Sequence, residues 1–125
     1  MEYDDLIKFE KTYEHIDKKC ENIFDSIEAL DKNYTPLKYR ESFDYDNFIV
    51  ESGFITIRGS YCYQNDSVPI SYAISFKSFL NSDLFLARLE AELMEKQRVR
   101  LEKHRLDKET KELELLAKLK EKYEK

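Results

Sequence analysis

Apolar residues recur along the first thirty-four positions at alternating steps of three and four: Leu6, Phe9, Tyr13, Ile16, Cys20, Ile23, Ile27, Leu30 and Tyr34. That is a heptad seam sustained over four repeats, and it predicts one long helix over 1–34. Ile7 and Phe24 widen the stripe, which favours burial against more than one neighbour. Thr35-Pro36 ends the helix, because a residue before proline is pushed out of helical geometry.

The period then changes to two over residues 39–79. In FITIRGSYCY, Ile55, Ile57, Tyr61 and Tyr63 alternate with Phe54, Thr56, Arg58, Ser60 and Cys62. In VPISYAISF, Val68, Ile70, Tyr72, Ile74 and Phe76 share a face against Ser71, Ala73 and Ser75. Both read as strands with one buried side. Residues 47–50 (NFIV) supply an earlier strand, Glu51-Ser52-Gly53 a tight turn, and residues 64–67 a polar turn. Pro69, which has no amide donor, belongs at a strand start or on an edge.

Asn81-Ser82-Asp83 is a helix start, and Leu86, Leu89 and Leu93 give the helix a face to bury. Beyond them the pattern thins into MEKQRVRLEKHRLDKET, supported by the four-apart pairs Glu92–Lys96 and Asp107–Lys111. Glu114–Lys118 and Glu121–Lys125 continue that series, and Leu113, Leu115, Leu116, Leu119 and Tyr123 restore a weak apolar stripe. The expected fold is α+β, α-β-β-β-α: a three-stranded antiparallel meander between a long heptad-patterned helix and a long C-terminal helical arm over 82–125. The 125 residues read as one domain. As a single helix the arm would reach about 65 Å, far beyond a body with a radius of gyration of roughly 14 Å. Its distal part must therefore pack on the first helix, on another chain, or on nothing.

Composition sharpens this picture. Charged residues make up 38% of the chain, with only two glycines and two prolines, as suits long charged helices. The net charge of −5 is uneven: residues 1–78 hold 9 Lys/Arg against 15 Asp/Glu, and residues 79–125 hold 12 against 11. The e positions of the first seam include Glu10, Asp17 and Asp31, whose charges suit a helix with basic edges. Antiparallel packing of the two long helices, within or between chains, is expected, and with it a homo-oligomer, a dimer by preference. The packing seam is then Leu6, Phe9, Tyr13, Ile16, Cys20, Ile23, Ile27 and Leu30 on one helix, with Leu86, Leu89, Leu93, Leu113 and Leu116 on the other.

A basic band of Lys96, Arg98, Arg100, Lys103 and Arg105 marks the arm. It reads as a solvated flank answering the acidic helix, or as a contact for phosphates or an acidic partner. Eleven of the 17 aromatics lie in residues 34–79 and mostly fill the core. Tyr61 and Tyr63, with Asp44 and Asp46 of SFDYDNF, form an expected aromatic-acidic contact surface.

Catalytic signatures are thin. His15 and His104 sit among charged helical neighbours and read as surface residues. Cys20 and Cys62 read as small buried hydrophobes, with a disulfide or a Cys20–Cys20 link across a dimer axis as alternatives. Two aspartates at 44 and 46 are too few to make a metal site, and no phosphate loop, serine elbow or cofactor motif is present. The reading is a non-enzymatic protein with no cofactor or metal. From the acidic N-terminus and the lack of a long apolar run, a cytoplasmic protein with no membrane span is expected.

The element order, with GFITIRG as a glycine-led central strand, resembles the YbaB-type nucleoid-associated proteins, a likeness that implies a dimeric DNA binder. Two long helices joined through β structure resemble prefoldin subunits, which implies chaperone arms. The strand order is shared with double-stranded-RNA-binding domains. The acidic, Tyr/Lys/Asn-rich character is similar in style to small phage-encoded inhibitors such as anti-CRISPR proteins, and implies a protein that blocks a nucleic-acid-handling host partner. That inhibitor is the leading functional expectation. A nucleic-acid binder using the basic band is the alternative, and a coiled-coil structural or chaperone-like protein a further one.

Overall fold

The computed structural model describes residues 1–34 and 41–123. Helix α1 spans Tyr3–Tyr34, strands β1, β2 and β3 span Glu41–Glu51, Phe54–Tyr63 and Asp66–Ser75, helix α2 spans Phe76–Leu80 and helix α3 spans Ser82–Tyr123. The architecture is α+β, with one open antiparallel sheet in the order β1-β2-β3. The expected stop at Thr35-Pro36 and the pair Glu121–Lys125 fall outside the described residues.

Each hairpin turns on two residues. Ser52 and Gly53 have φ of 49° and 82°, and Gln64 and Asn65 have φ of 50° and 70°. Positive φ at both central positions is what the right-handed twist of paired strands selects. Asp66 and Ser67, expected in the second turn, instead open β3, paired with Tyr63 and Cys62.

The first strand is more than twice as long as residues 47–50. Register shifts between Glu41 and Asp44 and between Tyr45 and Asn47 interrupt its ladder. Such bulges break the two-residue alternation, so SFDYD does not read as a strand. Phe76, expected to share a face with Ile74, leaves the sheet and begins α2 instead. Ser75 caps that short helix, its hydroxyl accepting from the Ser78 amide at 3.2 Å. Phe79 of α2 turns into the core, and Phe76 is left exposed.

The core lies between α1 and one face of the sheet. Cys20, Ile23, Phe24 and Ile27 of α1 meet Phe48, Ile55, Ile57 and Ile74 of the strands, with Phe79 closing one end. Phe24 faces the sheet, its ring 6.1 Å from Tyr45 and 6.0 Å from Tyr72 between centroids. Phe85, Leu86 and Leu89 bring the start of α3 onto the same core.

Contacts between the long helices advance in the same sense along both. Ser26 and Leu30 share a cleft with Asp83, Leu86 and Ala87. Farther on, the Tyr34 hydroxyl donates to Glu90 at 2.7 Å, and Arg100 donates to the Tyr34 carbonyl at 3.2 Å. Within the chain the helices therefore run parallel, which corrects the antiparallel expectation for packing inside one chain. The short helix α2 follows β3 and redirects the chain, so that α3 starts beside Ser26 and Leu30 in the last third of α1.

Candidate functional site

The seam on α1 divides in two. Cys20, Ile23 and Ile27 are buried, while Ile16 and Leu30 are half-buried. Toward the N-terminus, Leu6 is 53% exposed, Phe9 68% and Tyr13 46%. Tyr13 rests one face on Phe48 of β1, with ring centroids 5.0 Å apart, and Phe9 stands 6.4 Å from Tyr13. The first turns of α1 thus continue the apolar stripe past the edge of what the sheet covers.

Helix α3 divides likewise. Leu86, Leu89 and Leu93 are half-buried, but every described residue from 98 to 123 is exposed, Leu113 at 67% and Leu116 at 57%. No residue of its 42 is fully buried. At 1.5 Å per residue the helix is about 63 Å long.

The basic band is partly answered within α3. Arg98 forks onto Glu95 at 2.7 and 3.1 Å. Arg105 bridges Glu102 at 2.7 Å and Glu109 at 2.6 Å. These hydrogen bonds hold the Glu95 and Glu102 carboxyls below their ordinary values. Arg100 reaches back to the end of α1, and Lys96 and Lys103 have no ion pair among the described residues. The pairs found are three and four residues apart, but they are Glu95–Arg98, Glu102–Arg105 and Arg105–Glu109. The expected Glu92–Lys96, Asp107–Lys111 and Glu114–Lys118 pairs are not among them.

The aromatic-acidic residues occupy different places. Tyr61 is half-buried, its ring 5.5 Å from Phe43, while Tyr63 lies at the exposed end of the same strand. Asp44 is exposed opposite Ser60, and Asp46 lines a shallow cleft on the sheet with Asn47, Arg58 and Ser71. Arg58 donates to the Asn47 side chain there at 2.8 Å. Gly59, Pro69 and Ile70 complete the cleft, and of its lining only Asp46 is marked as a contact residue by the sequence pattern.

Two side-chain bonds fasten the helices, and sequence gave no sign of either. Besides Tyr34–Glu90, the Tyr45 hydroxyl donates to Asp17 at 2.5 Å, tying β1 to α1. Burial and this bond push the Tyr45 phenol well above its ordinary pKa. Cys20 is buried as expected, and burial, with the nearby Asp17 charge, raises its thiol to about 11. Cys62 is exposed instead of buried, because it falls on the outward side of β2; both cysteines are free thiols. His15 and His104 are exposed on their helices. Among the described residues no group of three or more His, Cys, Asp or Glu could hold a metal ion. No helix among them is long and apolar enough to cross a membrane.

Comparison with protein-family models, with curated proteins and with solved structures finds no match in any of the three.

Proposed function

We propose that this is a non-catalytic binding protein that works through its helices: the sheet and its core hold two arms whose uncovered apolar stripes dock other helices. One observation carries this reading. Over residues 98–123 every described residue of α3 is exposed, yet Val99, Leu106 and Leu113 repeat at seven residues, as do Leu116 and Tyr123. A helix with only surface ion pairs frays in water, since most helical stability comes from packing an apolar face. Leucines repeated along a helical stretch that no described residue covers call for a partner. In its narrowest form the partner is a nucleic-acid-handling host protein, blocked by a small phage-type inhibitor.

The test replaces Leu106, Leu113 and Leu116 with Gln, leaving the core untouched. Pull-downs from an extract of the source cells then compare this variant with the wild-type chain. The reading expects a partner retained by the wild type and lost by the variant, with the circular dichroism of the sheet and α1 unchanged. A variant that retains the same partners as the wild type overturns it.

Direct nucleic-acid binding is the second reading, favoured by the exposed Lys96 and Lys103. It is the weaker one, because Arg98 and Arg105 already spend their charge on neighbouring carboxylates.

A further inference from the structure

The parallel course of α1 and α3 leaves their uncovered stripes at opposite ends of the molecule. At one end Leu6 and Phe9 extend past Tyr13, which rests on the edge of the sheet; at the other Leu106, Leu113 and Leu116 extend past the end of α1. Their charges are opposed. Residues 1–14 hold two lysines and five acids, and residues 96–123 hold ten Lys/Arg and six acids.

We infer that the occupant of both stripes is a second copy of this chain, the N-terminal turns of α1 in each protomer lying antiparallel against the distal half of α3 in the other. This rests on the proposed function, in which those stripes dock helices, and it names a second copy of the chain, in place of a host protein, as what they dock. Turning one copy end for end beside the other brings each overhang against the surface complementary to it. The same contact is then made twice about a twofold axis, and the assembly closes. Pairing one α3 with another α3 would instead set basic arm against basic arm, which like-charge repulsion opposes.

Register supports the match. Antiparallel helices pair positions that advance on one as they recede on the other. Setting Phe9 opposite Leu113 therefore sets Leu6 opposite Leu116, and Glu2 opposite Lys120. Leu6 and Phe9 meet leucines, Tyr13 falls opposite Glu109, and Glu2, just ahead of the first turn of α1, meets a base at the next step of the repeat.

Cross-linking and light scattering test this on the full chain. In a Cys62→Ser background, Phe9→Cys is prepared in one batch and Leu113→Cys in another, and the two are mixed under mild oxidation. The mixture should yield a covalent heterodimer at least tenfold faster than Leu113→Cys alone links to itself. The uncross-linked Cys62→Ser chain should scatter as twice the 15.1 kDa monomer at micromolar concentration. A 15.1 kDa particle at all concentrations overturns the inference. So does Leu113→Cys linking to itself as fast as the mixture. A monomer that still loses a different protein partner on Leu106, Leu113 and Leu116 replacement sinks the dimer but leaves the proposed function standing.

Discussion

The ring of Phe24 lies directly on the backbone of Gly59. A Cβ added at Gly59 would stand 2.5 Å from the Phe24 Cζ and 2.6 Å from its Cε2, and would also press on the Asp44 carbonyl. Real Cβ atoms do not approach this closely, so glycine at the centre of β2 is what lets α1 sit on the sheet. Gly59→Ala should destabilise the chain by about 1–3 kcal/mol through overpacking. Phe24→Leu should recover part of that loss in the double variant, because the two residues are in contact. Urea unfolding of the four proteins checks this; a Gly59→Ala variant as stable as wild type would mean that the contact does not exist.

Alkali should loosen the same interface. The Cys20 thiol, raised to about 11 from an ordinary 9.0, and the Tyr45 phenol, raised above 10, are both held protonated by the fold. The unfolded chain deprotonates first, so the stability these groups contribute is whole below pH 9. It falls as pH rises, from Cys20 between 9 and about 11 and from Tyr45 above 10. Thermal melts from pH 7 to 11 should show the decline. Tyr45→Phe should flatten its upper part and cost about 1 kcal/mol at pH 7 through the lost bond to Asp17. An equal slope in the Tyr45→Phe variant would contradict the assignment.

Thiol labelling distinguishes the two cysteines. Exposed Cys62 should react with a disulfide reagent within minutes at pH 8, and buried Cys20 only after unfolding. Two fast thiols in the folded protein would show that the α1–sheet core is open.

For nucleic acid, the account expects weak binding that disappears near physiological salt. Lys96→Gln with Lys103→Gln should remove most of it, and Arg98→Gln should matter less because Glu95 already occupies that side chain. Fluorescence anisotropy of a labelled duplex at several salt concentrations reads this out. Binding that survives 200 mM salt would favour the second reading.

Much of this architecture was legible in the residue pattern. The seven-residue repeat of α1 and the alternation from Ile55 to Ile74 each report one buried face, and both faces are where the period places them. Period alone did not say how far along α1 the covering extends, so Leu6 and Cys20 looked alike although one is exposed and the other buried. Nor could it show direction, which α2 sets from a few residues after β3. Phe24 looked like a widening of the seam. Its place on Gly59 depends on a pairing between residues thirty-five apart that no local pattern encodes. Asp44 and Tyr61 were grouped by composition, but a bulged strand sets their side chains on different faces.

Amide hydrogen exchange over residues 99–123, followed as protein concentration rises, tests most directly that the arm exists to be covered by another helix. Protection should be slight at nanomolar concentration and should deepen at least tenfold by high micromolar, together with residues 3–13 of α1. Exchange at the rate of an unstructured chain at every concentration would contradict it.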